Sequence, residues 1–190
     1  MAHAEKFPGL TTPDESYHGV TYAKEFGKAA YITKATAQLM RDFGSVPAPI
    51  SSWIMGMHME SLGVRMERHC ANALAVARWL DADSRISWVS YPGLEGDKYH
   101  ALAEKYMPNG TCGVISFGVP GGREKVSAFL DHLKMVSIAT HVADARSCTL
   151  YPAGTTHRQL TDEQLEEAGV GIDLVRLSCG IENAADIIAD

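Results

Sequence analysis

The segment Leu174-Val175-Arg176-Leu177-Ser178-Cys179-Gly180-Ile181-Glu182 lies near the end of the chain and is the most informative part of the sequence. Apolar residues recur at every second position in its first half, and this period predicts a β-strand over residues 174–178. On such a strand, alternate residues from Val175 to Cys179 share one face. The alternate residues from Leu174 to Ser178 share the opposite face, and Arg176 is the charged residue among them.

The chemistry of Arg176 makes this strand a candidate site. A guanidinium in an otherwise apolar strand is expensive to bury without a partner. Its planar fork suits a carboxylate, which it holds through two parallel hydrogen bonds. The partner is either an internal Asp or Glu or the carboxylate of a bound molecule. On spacing alone we favour the internal acid.

Strand and helix patterns alternate through the part of the chain that precedes and follows this strand. Strand patterns cover residues 86–91, 112–119, 137–142 and 147–151, and helix patterns cover residues 98–107, 121–135, 162–168 and 184–190. This mixture predicts a sheet covered by helices, in the α/β or α+β class. Periodicity leaves open whether the strands pair in parallel or antiparallel.

The N-terminal part predicts loops and long helices. Residues 1–20 are loop-like. Residues 29–43 predict a helix that ends at Gly44, with a short strand at the start of the segment as the alternative. Ser51 or Ser52 is expected to cap the next helix. The longest helical pattern runs over residues 53–80, with one apolar stripe. Its members are Met55, Met59, Leu62, Met66, His69, Ala73, Val76 and Leu80.

Composition excludes several classes of protein. The net charge is −6 without basic clusters, which argues against a nucleic-acid or acidic-membrane partner. No apolar run is long enough to cross a bilayer, and the first residues lack a signal pattern. The four cysteines form no Cys-x-x-Cys pair, so we expect no metal site but reduced thiols in the cytoplasm. Common nucleotide, zinc-protease and serine-hydrolase motifs are missing from the sequence.

Two further segments are polar or glycine-rich. Pro152-Ala153-Gly154-Thr155-Thr156-His157-Arg158 gathers hydroxyls, an imidazole and a guanidinium, and predicts either a polar site or a turn. Residues 118–122 are glycine-rich before a helix, and a turn is favoured there over an anion site. His69 lies near the apolar stripe, where a hydrogen-bonded core histidine is favoured over a ligand.

Three segments together resemble a known family. Leu62-Gly63-Val64-Arg65-Met66-Glu67-Arg68-His69-Cys70-Ala71-Asn72-Ala73 resembles the interdomain helix of the cysteine/methionine metabolism enzymes that use pyridoxal phosphate. Residues 152–157 resemble their Pro-Ala-Ser-x-Thr-His motif, and residues 175–182 resemble their Arg-Leu-Ser-x-Gly-x-Glu motif. Residues 13–19 and 157–160 are most similar to the O-acetylhomoserine sulfhydrylase branch.

The resemblance implies a type I aminotransferase-like fold. Residues 1–52 would be a remnant of the large cofactor-binding domain, residues 53–82 the interdomain helix and residues 83–190 the C-terminal small domain. The complete enzyme would use pyridoxal 5'-phosphate to make homocysteine from O-acetylhomoserine and sulfide. Alternatives that stay open are the same region of a methionine or cystathionine γ-lyase or a cystathionine γ-synthase, and a free-standing non-catalytic binding or assembly domain.

The resemblance also implies site residues. The family's carboxylate-binding arginine corresponds to Arg176, and this correspondence now favours a substrate carboxylate as its partner. Thr156 matches the threonine of the Pro-Ala-Ser-x-Thr-His motif, close to that site. His141 and Val142 fall where related enzymes place residues that line the carboxylate.

The chain departs from the family where the cofactor is held. The family's Ser-x-Thr-Lys segment, whose lysine bonds to the cofactor, is missing, and Lys34 lies in a different motif. Gly154 stands in place of a serine. We therefore expect part of a longer enzyme that is inactive by itself and does not bind pyridoxal phosphate alone. Its expected partners are the rest of the large domain and further copies of the enzyme.

Overall fold

A computed structural model describes residues 3–190. The chain divides into two compact units, one ending at Met57 and the other running from His58 to Asp190.

The N-terminal unit is built from short helices. They are α1 (Pro8–Thr11), α2 (Tyr22–Phe26), α3 (Ala30–Lys34) and α4 (Arg41–Phe43), with 3-10 turns at Ala4–Lys6, Glu15–Tyr17 and Gly27–Ala29. The helix predicted over residues 29–43 is confirmed, although its middle, Ala35–Met40, is π-helical. It ends at Gly44, whose φ of 67° suits glycine. The prediction of loops over residues 1–20 is wrong in part, because Pro8 starts a helical turn, and the first two residues of that range lie outside the described residues.

The predicted long helix is two helices. They are α5 (Pro49–Glu60) and α6 (Leu62–Ala82). The chain leaves helical geometry at Ser61, where Arg65 Nη2 donates to the His58 carbonyl at 2.8 Å and Nε donates to Ser61 Oγ at 3.2 Å. These bonds give the end of α5 partners outside the main-chain ladder, which stabilises the break. The predicted cap at Ser51 or Ser52 is also wrong, because Pro49 is favourable at the first helical position.

The second unit contains one five-stranded sheet. Its strands are β1 (Trp88–Ser90), β2 (Val114–Gly118), β3 (Ser137–Ile138), β4 (Cys148–Leu150) and β5 (Leu174–Ser178), in the order β1-β2-β5-β4-β3. The bounds predicted for β5 are confirmed. The pairs are antiparallel, except for the parallel pair β3–β4. The sheet is therefore mixed, a point that periodicity alone left open.

Helices cover one face of this sheet. The helices after α6 are α7 (His100–Tyr106), α8 (Gly122–His132), α9 (Asp162–Glu167) and α10 (Ala184–Ala189). The core joins inward residues of the central strands to the helices, and it includes Ile115, Phe117, Val175, Leu177, Ala73, Val76, Val126, Leu130, Leu165 and Ile187. The predicted α/β class is therefore confirmed. Among the described residues, no helix is both long and apolar enough to cross a bilayer.

Candidate functional site

Arg176 lies in the middle strand of the sheet, on the face opposite the helix-covered core. It pairs with Ser116 of β2 on one side and with Leu150 of β4 on the other. Directly paired residues in a sheet point to the same side, so these three side chains form one row. Its neighbours Val175 and Leu177 point into the core, as the alternation predicted. The arginine itself is half-buried.

The guanidinium of Arg176 has a carbonyl as its partner. Nη2 donates to the main-chain oxygen of Thr140 at 3.0 Å. Within residues 3–190, no Asp or Glu forms an ion pair with Arg176. The internal acid that spacing alone favoured is therefore not found there. A single carbonyl engages one of five N–H donors, which leaves donors free for a carboxylate.

Thr140 belongs to the loop of residues 139–147 between β3 and β4. Two more side chains of the Arg176 face hold this loop by its backbone. Ser178 Oγ accepts the N–H of Ala143 at 3.1 Å, and Cys148 Sγ donates to the carbonyl of His141 at 3.1 Å. The structure therefore places the predicted residues His141 and Val142 in the loop that Arg176 contacts through Thr140. Both side chains are exposed.

Cys148 contributes to the loop as a neutral thiol. Burial raises its pKa above the ordinary value, and Asp144 raises it further, while nearby Arg176 lowers it. Burial is the largest of these effects, because desolvation disfavours the thiolate. The thiol thus keeps the proton that it donates to the loop.

Thr156 lies in the turn that follows β4. This turn begins with the 3-10 segment Pro152–Gly154, and Arg123 holds it by donating to the Ala153 carbonyl at 3.0 Å. The Thr156 hydroxyl bonds to His157 Nδ1 at 2.9 Å and is exposed. Among the hydrogen bonds of residues 3–190, none joins Thr156 to Arg176. A role for Thr156 at the carboxylate stays a prediction.

The neighbouring Tyr151 ring explains why glycine stands at position 154, where the family motif has serine. A Cβ at this position would lie 2.6 Å from Cδ1 of Tyr151. The Tyr151 ring is buried, and its hydroxyl donates to the Ile172 carbonyl at 2.8 Å, so the ring has little freedom to move. The ring therefore leaves room for glycine but not for serine.

A buried polar network next to the site was missed by sequence reasoning. The Glu182 carboxylate accepts the N–H of Ser147 at 2.6 Å and its hydroxyl at 2.9 Å. Ser147 Oγ accepts the N–H of Gly180 at 2.8 Å. Asn72 Nδ2 donates to the carbonyls of Gly180 and Glu182 at 2.9 and 2.7 Å. The network fastens the end of the 139–147 loop to α6 and to the segment after β5.

His69 stands one turn before Asn72 on α6. Its Nδ1 lies 2.7 Å from the Cys179 carbonyl, as a core histidine should. Its Nε2 is buried, and the part of the chain that the structure describes offers it no hydrogen-bond partner. The spacing of His69 and Asn72 at i and i+3 is the sequence signal that places both side chains on one helix face.

Lys34 is the half-buried lysine of the described residues, and its amine is already engaged in hydrogen bonds. Nζ donates to the Gly9 carbonyl at 2.8 Å and to Asp14 Oδ2 at 2.7 Å. This ion pair holds the pKa of the Asp14 carboxyl well below its usual range. The other lysines within residues 3–190 are exposed. The lysines of residues 3–190 therefore do not fit the role of a covalent anchor for pyridoxal phosphate.

Comparison with known proteins gives a consistent set of matches. The family model of the Cys/Met metabolism PLP-dependent enzymes matches residues 18–190 of this chain. A homocysteine synthase from Schizosaccharomyces pombe is 42% identical over 188 residues, which are 99% of this chain and 44% of the relative. An O-acetyl-L-homoserine sulfhydrylase from Leptospira meyeri is 43% identical over 194 aligned positions, which cover 97% of this chain and 44% of its own length.

A solved structure matches over the same extent. It is described as an O-acetylhomoserine (thiol)-lyase from Campylobacter jejuni with a pyridoxyl-lysine monophosphate. The TM-score is 0.86 at 35% identity, over 98% of this chain and 44% of that one. The chain thus spans less than half the length of the relatives that it matches.

Proposed function

The chain belongs to the Cys/Met metabolism PLP-dependent enzymes, and we propose that it is the C-terminal portion of an O-acetylhomoserine sulfhydrylase. The complete enzyme would make homocysteine from O-acetylhomoserine and sulfide in methionine biosynthesis. Curated relatives with this activity in their names match almost the whole chain. A metabolic role and four free thiols support a cytoplasmic location.

The observation that carries the proposal is the half-buried Arg176 without an acidic partner among the described residues. Its free donors would hold the carboxylate of the amino-acid substrate in a two-pronged pair. The side chains of His141 and Val142 would border this carboxylate, and Thr156 would approach it from the turn after β4. The role of these residues would be to bind and orient the substrate.

Pyridoxal phosphate would be held outside this chain. Lys34 is engaged with Asp14 and Gly9, and the remaining lysines of residues 3–190 are exposed. We therefore assign no cofactor contact to the described residues. In the complete enzyme, residues 1–52 would be the end of the large domain, residues 53–82 the interdomain helix, and residues 83–190 the small domain that carries Arg176.

A chimera tests the proposed activity. The chain would replace the matching segment of the Leptospira meyeri sulfhydrylase, which is 43% identical to it. We expect formation of homocysteine from O-acetylhomoserine and sulfide at a rate near that of the parent enzyme. Cleavage of methionine or cystathionine instead would indicate a γ-lyase, and use of cysteine as the sulfur donor would indicate a γ-synthase. A folded chimera that retains its cofactor but lacks all these activities would favour a non-catalytic domain.

The chain alone is expected to form no specific Schiff base with pyridoxal phosphate. The reason is that its half-buried lysine, Lys34, already donates to Gly9 and Asp14. The measurement is reduction of the mixture with borohydride, followed by peptide mapping. Weak labelling spread over exposed lysines is the expected result. A single stoichiometrically labelled lysine, such as Lys34, would contradict the prediction.

We also propose that the rest of the large domain and further copies of the enzyme cover α5. Apolar side chains are exposed all around this helix, and they are Ile50, Trp53, Ile54, Met55, Met57 and Met59. A helix that is apolar on all sides is normally buried in a larger protein. Contiguous exposed apolar surface marks an interaction site or drives association.

From this surface we expect the isolated chain to self-associate. Sedimentation should show a mass that rises with concentration, and a hydrophobic dye should bind. The double variant Trp53→Glu with Met57→Glu should reduce both signals, because it places charges on the apolar surface. The matched control Met135→Glu changes an exposed methionine in the second unit and should leave them unchanged. A clean monomer over a wide concentration range, without dye binding, would refute the expectation.

A further inference from the structure

The loop of residues 139–147 is held by three side chains that share one sheet face. Arg176 binds the carbonyl of Thr140, Cys148 binds that of His141, and Ser178 binds the N–H of Ala143. We propose that Ser178 is a positioning residue for Arg176, because it holds the loop whose carbonyl orients the guanidinium. This inference rests on the proposed function of Arg176 as the carboxylate-binding residue.

Position on the strand links the two residues. Arg176 and Ser178 are two apart on β5 and therefore project from the same face. Ser178 is 2% exposed, and its hydroxyl accepts the Ala143 N–H at 3.1 Å. The two anchoring points on the loop, Thr140 and Ala143, are three residues apart. A displacement at Ala143 would therefore move the carbonyl that Arg176 binds.

The conformation of Ala143 makes this bond consequential. Its φ is 58°, in the left-handed region that residues with a Cβ avoid. Such a conformation persists when surrounding contacts hold it. The Ser178 hydroxyl supplies a contact directly on the strained residue. Without it, the loop is expected to relax toward ordinary dihedral angles and release the guanidinium.

A purely structural role for Ser178 makes a different prediction. If the buried hydroxyl only pairs with the Ala143 N–H, its loss would lower stability and leave the Arg176 side chain as ordered as before. The order of the Arg176 Nε–Hε group separates the two roles, and it is measured by nitrogen-15 relaxation in the 190-residue chain that carries Trp53→Glu and Met57→Glu to reduce self-association. Titration with acetate, a minimal carboxylate, gives a second measurement on the same signal.

The decisive comparison is between Ser178→Ala and Thr149→Val. Thr149 is also buried, and its hydroxyl donates to the Arg176 carbonyl at 3.2 Å, but its side chain lies on the opposite face of the sheet. Ser178→Ala should increase the motion of the Arg176 guanidinium and weaken acetate binding about 2- to 12-fold, the effect of having to immobilise one long side chain. Thr149→Val should change neither.

Unchanged Arg176 order in Ser178→Ala would overturn the inference. If this variant does not fold, Ser178→Cys decides, because it keeps the size of the side chain and weakens the acceptor. It should change Arg176 order in the same direction by a smaller amount, and no change would again overturn the inference. If the Arg176 signal does not respond to acetate in the chain that retains Ser178, the proposed function is contradicted, while the order measurements still test the positioning role.

Discussion

Arg176→Lys in the chimera is expected to lower kcat/KM for O-acetylhomoserine by about 30-fold to several thousand-fold. Lysine keeps the positive charge but loses the planar fork that holds a carboxylate through two hydrogen bonds. Loss of one charge-assisted pair in a half-buried site costs about 2 to 5 kcal/mol, which corresponds to that range. The measurement is steady-state kinetics at several concentrations of O-acetylhomoserine.

The stability of this variant discriminates between the two roles of Arg176. Since the contact found for its guanidinium is the Thr140 carbonyl, loss of that bond should cost at most about 1.5 to 3 kcal/mol of folding free energy, the range for a hydrogen bond with one charged partner. Cofactor absorbance should be unchanged. Arg146→Lys is the matched control, because Arg146 is exposed on the same loop and should retain normal kinetics. An Arg176→Lys enzyme with normal kcat/KM and a much lower Tm would remove Arg176 from the site.

The sequence was most informative where a local period determines structure. The bounds of β5 and the inward direction of Val175 and Leu177 followed from a period of two, which depends only on the geometry of one strand. The family was recognised from three motifs, and the match to residues 18–190 confirms it. Arg176 was a candidate because a charged residue interrupts an apolar pattern.

Features that depend on distant or competing contacts could not be predicted. The break at Ser61 is stabilised by the bond from the Arg65 side chain to the His58 carbonyl, a contact that apolar spacing does not record. The N-terminal part of the apolar stripe is exposed at Met55 and Met59, although its C-terminal part is buried as expected. Periodicity shows that one helix face is apolar, but it does not show what covers that face.

The same limit applies to the site. The internal acid favoured for Arg176 was excluded among the described residues only when the strand was seen beside the 139–147 loop. Glu182 was noted as part of a motif, but its partner Ser147 is 35 residues away. A hydrogen bond over that separation leaves no spacing signal in a single sequence.

Glu182→Ala is expected to destabilise the second unit by about 3 to 5 kcal/mol. The carboxylate accepts two hydrogen bonds from Ser147, at 2.6 and 2.9 Å, and Ser147 is fully buried. Each hydrogen bond to a charged acceptor contributes about 1.5 to 3 kcal/mol, and its removal leaves a buried donor unpaired. At about 2 to 4 °C per kcal/mol for a chain of this size, Tm should fall by about 6 to 20 °C.

Two further variants show whether the loss comes from this network. Glu182→Gln keeps an acceptor oxygen, and it should lose about half as much stability because the charge is gone. Glu166→Ala removes an exposed carboxylate from α9 and should leave Tm nearly unchanged. Since Ser147 ends the 139–147 loop, Glu182→Ala should also free the Thr140 carbonyl that Arg176 binds. A Glu182→Ala chain with the wild-type Tm and an unchanged Arg176 signal would show that the network holds neither the fold nor the loop.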